Sequence, residues 1–315
     1  MMLARVADSL YWVGRYVERA EHMCRLSDVM LNATLDRSEA ATQVARIALR
    51  AVGDRNSAKA LAPYEAAQAM TLDREDRGSV FSSIAHAREN ARQVRDQITT
   101  ETWERLNLIY LRMNNPDAVR AFNDGSQQFL HDTIADLHLF KGAGDATMSH
   151  GEGWSFLQLG VYLERAQLIG SLLEVVFGER RRRRPLADHF ALTSVLRMSC
   201  ALEPYLRVYT AELQPRHILN FLMLDEDFPR SIRFCTTQIE TNLAAITRHA
   251  GLSANAGPER LAGRLKARLH FADMDELEQE GASAFLKTVL DECWAIHRSL
   301  YDAFVAYSLE DRLPA

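Results

Sequence analysis

Two Glu-Arg pairs are the residues of this sequence whose types and spacing best suit chemistry. Glu18 and Arg19 in the first half of the chain recur as Glu164 and Arg165 in the second half. The eight residues around each pair agree at five positions, with a constant offset of 146 residues in a chain of 315. A carboxylate beside a guanidinium can hold an anionic or zwitterionic ligand, or can act as a general base next to a bound carboxylate.

The second pair lies in a strongly apolar stretch. Between residues 154 and 177 only Glu164, Arg165 and Glu174 carry charge, which is typical of a helix buried on every side. Buried ions cost on the order of several kcal/mol each unless they are paired. We therefore expect the two pairs to cross in a four-charge network about a pseudo-twofold axis, with two tyrosine hydroxyls beside it. The candidate substrate- or anion-binding residues of this network are Glu18, Arg19, Glu164, Arg165, Tyr16 and Tyr162.

Two interpretations of this network are open, and no catalytic residue is assigned. In the first, the charges fix the register of two halves of the fold, which is the more common role of buried ion networks. In the second, the arginines line a polar pocket and bind a ligand. Around the first pair, Arg15, Glu21, His22 and Arg25 also fit a solvated ion-pair face that contributes little to stability.

Arg230 is a further candidate for anion binding. It stands within residues 224–233, where an acidic run and a proline precede a predicted helix, and free backbone N–H groups there suit a carboxylate or phosphate. The alternative, which we favour, is local. Asp227 then caps the helix, and Arg230 pairs with Asp225 or Glu226.

A run of five arginines is the candidate contact with a partner. It consists of Arg180, Arg181, Arg182, Arg183 and Arg184. Without interleaved aromatic residues, the run indicates a solvated linker or a docking patch for an acidic protein surface, and not a nucleic-acid site.

Helical periodicity runs through almost the whole chain. Apolar residues recur at spacings of three and four, Gly and Pro are scarce at 15 and 8 residues, and no run alternates with period two. The predicted helices are 3–31, 39–52, 80–113, 117–140, 148–177, 186–210, 216–223, 230–249, 259–269 and 282–307. We therefore predict an all-α multi-helix bundle forming one domain over 1–315. Its pseudo-repeat halves, the product of an internal duplication, would be 1–140 and 147–315, linked by a Gly-rich loop over 141–153.

Several classes of protein are disfavoured. The chain lacks the Glu-x-x-His and His-x-x-x-His spacings of metal sites, and it has no phosphate loop or dinucleotide fingerprint, so we expect neither metal nor cofactor. A net charge of −5 argues against binding nucleic acid or an anionic membrane. Four scattered cysteines, no signal peptide and no long apolar stretch predict a reduced, cytoplasmic protein.

Several segments together resemble the alpha-E family, a bacterial all-helical domain named for a Glu-Arg motif. They are MLARVADSLYW at 2–12, RYVERAE at 15–21, ETWERLN at 101–107, TM at 147–148, GWSF at 153–156, Gly160, ERA at 164–166 and FPRS at 228–231. The resemblance therefore covers nearly the whole chain. Two positions depart from it: Val161 stands where an arginine would parallel Arg15, and His150 stands where an acid or arginine is expected. These departures count against equal ligand binding by the two halves.

The resemblance implies a function in amide-bond formation. The family is encoded beside circularly permuted ATP-grasp ligases, often with a transglutaminase-like protein and sometimes with an amidase. It implies that this chain is a partner subunit that does not bind ATP and that holds the peptide substrate or completes the ligase, in a hetero-complex or as a homo-oligomer. The competing hypotheses are an enzyme proper, performing acyl or aminoacyl transfer at a Glu-Arg pocket, and a purely structural dimerisation module.

Overall fold

The computed structural model describes residues 2–35, 39–53, 62–178, 189–210, 212–251, 257–275, 277 and 281–305. Within these residues there are fourteen α-helices and no strands, which confirms the all-α prediction. The helices are α1 (Ala4–Ala33), α2 (Glu39–Ala51), α3 (Pro63–Leu72), α4 (Val80–Gln93), α5 (Thr100–Met113), α6 (Ala118–Asp124), α7 (Ser126–Thr147), α8 (Glu152–Phe177), α9 (His189–Met198), α10 (Leu202–Tyr209), α11 (Pro215–Leu224), α12 (Ile232–His249), α13 (Gly257–His270) and α14 (Ala282–Phe304).

Three predicted helices are each two helices in the structure. The ranges 80–113, 117–140 and 186–210 divide at residues 94–99, at Gly125 and at 199–201. The first division follows from capping, since the Thr99 hydroxyl accepts a hydrogen bond from the Thr102 amide and starts α5. The short helix α3 was not predicted, although its proline in the first turn is a usual start signal.

The predicted Gly-rich loop over 141–153 is wrong for most of its length. Helix α7 continues to Thr147, so only residues 148–151 lie outside a helix. Gly144 costs the helix about 1 kcal/mol in propensity, but it is buried beside Trp154 and Thr102, so packing holds this turn in place. The proposed division of the chain into two halves stays a prediction.

Helices α1 and α8 cross at the centre of the bundle with their backbones in contact. A Cβ atom on Gly14 would lie 2.0 Å from the carbonyl oxygen of Leu157, and one on Gly160 would lie 2.1 Å from that of Tyr11. The two contacts are related by the same 146-residue offset as the repeated motif. The crossing therefore has local pseudo-twofold symmetry, with a glycine of each helix against the backbone of the other.

The other helices surround this crossing. Helices α3, α4 and α7 pack against α1, α12 packs mainly against α8, α2 packs against both, and α14 packs against α8 and α13. All four cysteines are free thiols. No helix of the described ranges is both long and apolar enough to span a membrane.

Candidate functional site

The two Glu-Arg pairs face each other across the α1–α8 crossing, as the sequence predicts. Arg165 donates to both carboxylate oxygens of Glu18, at 2.7 Å from Nε and 2.8 Å from Nη2. In return, Arg19 Nε donates to Glu164 Oε1 at 2.6 Å. Each carboxylate is thus paired with the arginine of the opposite helix.

Glu18 also accepts hydrogen bonds from two cations that lie outside the repeat. Lys141 Nζ on α7 is 2.6 Å from Oε2, and Arg230 Nη1 is 3.0 Å from Oε1. The Glu18 side chain is completely buried, so these contacts replace its lost hydration. Lys141 is a site residue that the sequence did not indicate, because its Gly-rich surroundings predicted a loop.

The favoured local interpretation of Arg230 is wrong. Its guanidinium reaches back to the carboxylates of α1 instead of pairing with Asp225 or Glu226. The cap of α12 is Ser231 and not Asp227. Arg230 is buried and has therefore lost its hydration. Pairing with the buried carboxylates of α1 compensates for that loss.

The charged face of α1 next to Glu18 is buried. The interpretation of this face as a solvated ion-pair surface is therefore wrong. Glu21 accepts hydrogen bonds from Arg25 Nη2 at 2.7 Å, from Lys141 Nζ at 2.5 Å, and from Arg230. Its side chain is 1% exposed. The i, i+3 spacing of Glu18 and Glu21 places both carboxylates on one face of α1, and cations from three other parts of the chain cover that face.

Arg15 completes the network on the Glu164 side. Its Nε donates to Glu164 at 2.5 Å, its Nη2 to Gln167 at 2.5 Å, and its Nη1 to the Tyr11 hydroxyl at 3.0 Å. The guanidinium carbon also lies 5.4 Å from the ring centre of Trp12, within range for a cation–π contact. The N–H groups of this buried guanidinium therefore have hydrogen-bond acceptors, and its flat face lies against an aromatic ring.

The network holds more positive than negative charge. Its carboxylates are Glu18, Glu21 and Glu164, and its cations are Arg15, Arg19, Arg25, Lys141, Arg165 and Arg230. Burial alone would raise the pKa of Glu18, but Arg165, Lys141 and Arg230 hold that pKa far below its usual value. The same balance of burial against adjacent cations lowers the pKa of Glu21 and Glu164. All three carboxylates are therefore ionised at neutral pH.

The two tyrosines contact the network through their rings and not through their hydroxyls. The guanidinium carbon of Arg19 lies 5.3 Å from the ring centre of Tyr16, and that of Arg165 lies 5.1 Å from the ring centre of Tyr162. In the described part of the chain, no hydrogen bond joins either hydroxyl to a network charge. The two contacts are equivalent under the pseudo-twofold axis, and they act as cation–π pairs.

His22 is a buried imidazole next to these charges. Its two ring nitrogens have no hydrogen-bond partner among the described residues. Burial, reinforced by Arg230, lowers the pKa of His22 to about 4, so the folded protein keeps this ring neutral.

We expect stability to fall as the pH drops from 6.5 to about 4, because the unfolded chain protonates His22 before the folded protein does. A shift of this size corresponds to roughly 3 kcal/mol in the free energy of unfolding. His297, whose pKa burial and Arg15 also lower to about 4, adds to the slope. Below about pH 4.3 the network carboxylates add a further loss, since their pKa values are lowered by folding.

Urea unfolding at several pH values measures how steeply stability depends on pH. The variant H22L should flatten it, the exposed control H249L should not, and an unchanged slope in H22L would refute the assignment.

A cavity of about 490 Å³ opens beside the network, between α7, α8 and α12. Two network cations, Lys141 and Arg165, form part of its wall. The other polar residues of the wall include Asp145, Gln158, Gln238 and Asn242. Its aromatic residues are Phe140, His150, Trp154 and Tyr162, and His150 stacks on Trp154 with ring centres 4.4 Å apart. The volume falls within the range of about 300–1,000 Å³ that is usual for small-molecule sites.

The two sides of the crossing differ at the positions that border this cavity. On the α8 side the wall includes Gln158 and Val161. Their counterparts on α1, at the 146-residue offset, are Trp12 and Arg15, and the Arg15 guanidinium lies over the Trp12 ring. Arg15 is also covered by Trp294 of α14, whose ring centre is 5.8 Å away. The departure at Val161 thus places a short apolar side chain in the cavity wall, where α1 has an arginine.

Two further expectations concern other parts of the chain. The arginines Arg180, Arg181, Arg182, Arg183 and Arg184 lie outside the described residues, so their proposed contact with a partner stays a prediction. Within the described residues, no group of three or more His, Cys, Asp or Glu side chains is placed to hold a metal ion.

Comparison with known proteins gives one family match, over residues 2–305. The family is Alpha-E, described as a predicted alpha-helical domain with a conserved ER motif. Relatives include uncharacterized proteins of Mycobacterium bovis and Mycobacterium tuberculosis, each 24% identical to this chain over 320 residues. The alignment covers 95% of this chain but only 36% of each relative. No solved structure matches the chain.

Proposed function

The chain belongs to the Alpha-E family, and from that premise we propose that it is a helical subunit of an ATP-grasp peptide or amide ligase system. In this proposal the subunit does not bind ATP. It holds the substrate whose amide bond the ATP-using enzyme forms, with a circularly permuted ATP-grasp ligase as its partner. A transglutaminase-like protein or an amidase is a further partner in the same system.

The observation that carries the proposal is the cavity beside the Glu-Arg network. Lys141 and Arg165 present positive charge to a space of about 490 Å³ that is also lined by amide side chains. Peptides and amino acids carry both carboxylate and amide groups, and these are the groups that such a wall can bind. A substrate-holding role therefore fits the cavity better than a purely structural role does.

The lengths of the relatives support a function within a larger assembly. Each mycobacterial relative contains more polypeptide outside the matched region than within it. A domain that is joined to other polypeptide in its relatives can act together with a separate protein here. The four free thiols suit the reducing cytoplasm, in which we place this activity.

The network carboxylates are poorly suited to independent catalysis. A general base works best when its pKa lies near the operating pH, whereas the cations around Glu18 and Glu164 hold both pKa values below the usual range. Both side chains are also buried and occupied by arginines. We therefore assign the chemistry to the ATP-grasp partner and the holding of the substrate to this subunit.

Reconstitution with a circularly permuted ATP-grasp enzyme from the same organism tests the proposal. We expect ADP release with amide product when both proteins are present, and at least about a tenfold lower rate with either protein alone. Co-sedimentation or pull-down of the two proteins measures their association separately. Full turnover by the ATP-grasp enzyme without this chain would overturn the proposal, as would micromolar ATP binding by this chain alone.

A further inference from the structure

We infer that the cavity binds the free carboxylate end of a short peptide or an amino acid, with the carboxylate against Lys141 and Arg165. The inference rests on the proposed function and specifies its substrate class. It also identifies Gln158 and Val161 as the residues that keep the site open.

The two cations of the wall have donors to spare. Lys141 gives two of its three N–H groups to Glu18 and Glu21, which leaves one. The hydrogen bonds of Arg165 use three of its five N–H groups, two on Glu18 and one on the Pro229 carbonyl. Because the network has six cations for three carboxylates, an incoming anion reduces an existing excess of positive charge.

The rest of the wall matches a peptide rather than a simple anion. Gln158, Gln238 and Asn242 supply side-chain amides, which can pair with backbone N–H and C=O groups. The buried Asn242 gives its Nδ2 to the Gln238 carbonyl at 2.7 Å, so its oxygen is the group placed to accept. Trp154 and Tyr162 add flat apolar surface for a side chain.

Asp145 determines which end of the ligand lies nearer to the solvent and favours a zwitterion over a dianion. This carboxylate lines the same cavity and its side chain is 71% exposed, which places it toward the solvent. It attracts an ammonium group and repels a dianion such as phosphate. The wall therefore suits a zwitterion whose carboxylate lies at the inner, cationic end and whose amino group lies nearer to the solvent.

The other half of the crossing shows how the site can be closed. At the position equivalent to Gln158, Trp12 packs against Arg15 inside the same bundle. The substitution Q158W therefore places a tryptophan where the chain already accommodates one on the opposite side of the axis. It adds no charge and removes no contact of the network.

The test uses a panel of unmodified dipeptides and, for each, the same dipeptide with a C-terminal amide. Thermal-shift measurement selects binders to the full chain, and isothermal titration calorimetry measures their affinity. We expect at least one dipeptide to bind, with a loss of about tenfold or more when its carboxylate is amidated. Q158W should abolish this binding. The exposed control Q128W on α7 should leave it unchanged.

Several outcomes would overturn the inference. They are no binding by any dipeptide, equal binding of acid and amide, unchanged binding in a folded Q158W protein, or inorganic phosphate binding as tightly as the best dipeptide. If Q158W does not fold, the smaller substitution Q158L is measured in its place, with an expected loss of about tenfold. ADP release by the reconstituted pair is scored independently, so a functional ligase pair with no dipeptide binding would refute the substrate class and leave the proposed function standing.

Discussion

The variant E18Q is expected to lose about 3–5 kcal/mol of folding free energy, the largest effect of any single charge change in this protein. Glu18 is completely buried and is shared by Arg165, Lys141 and Arg230. A neutral amide leaves these cations without their counter-ion, and desolvated cations repel one another. Chemical denaturation measured by circular dichroism gives the difference in free energy. The melting temperature should fall by roughly 2–4 °C for each kcal/mol lost.

Two further variants provide a comparison for the loss of stability in E18Q. E164Q should destabilise less than E18Q, since Glu164 pairs with two arginines and one of them, Arg19, is 25% exposed. E89Q removes an exposed i, i+3 partner of Arg92 and should change stability by less than about 1 kcal/mol. Equal losses in E18Q and E89Q would contradict the buried network.

The second large effect is expected from G14A and G160A. Each new methyl group would lie about 2 Å from a carbonyl oxygen of the facing helix, and backbone cannot move aside as a flexible side chain can. The helices must separate, and that displaces the Glu-Arg contacts beside them. We expect each variant to lose at least the upper end of the usual 1–3 kcal/mol for overpacking, so about 3 kcal/mol or more. Thermal and urea unfolding measure it.

Matched glycines on other helices serve as controls. Gly142 in α7 and Gly263 in α13 have open space where a Cβ atom would be placed. G142A and G263A should therefore be neutral or should stabilise by about 0.5–1 kcal/mol, because alanine favours the helix. If G14A and G160A behave like these controls, the close crossing of α1 and α8 is wrong.

Much of the fold follows from local sequence signals, and the wrong predictions arise either from an overlooked local signal or from long-range packing. Helical periodicity indicates the all-α class because every helix must bury an apolar face. The continuous helix expected over 80–113 overlooks the cap at Thr99, which is a local signal. The loop expected around Gly144 fails for a different reason. Its glycines lower helix propensity, but Trp154 and Thr102 pack against this turn and keep it helical.

The sequence predicted the site residues only where the apolar pattern of a single helix indicated that its charged residues are buried. The apolar surroundings of Glu164 and Arg165 indicate burial, and the repeat then supplies Glu18 and Arg19 as partners. Glu21 gave no such signal, because the charges around it resemble a solvent-exposed face. Its burial depends on cations that α7 and the segment before α12 supply. Such contacts span more than one hundred residues of sequence, and no local pattern reports them.

The structural and ligand-binding interpretations of the network are compatible. The crossed charges fix the register of α1 and α8, which accounts for their burial and pairing. The same register places Arg165 in the wall of the cavity, and the contact of Lys141 with Glu18 holds a second cation there. In our proposal, the network positions the charges and the cavity receives the substrate.

The most direct test of substrate binding in the cavity is the rate of amide formation by the proposed ligase pair, measured with wild-type subunit, Q158W and the exposed control Q128W. We expect Q158W still to associate with the ATP-grasp enzyme but to lower the rate by about tenfold or more, while Q128W supports the wild-type rate. A folded, associated Q158W subunit that supports the full rate would contradict the claim that the substrate is held in this cavity.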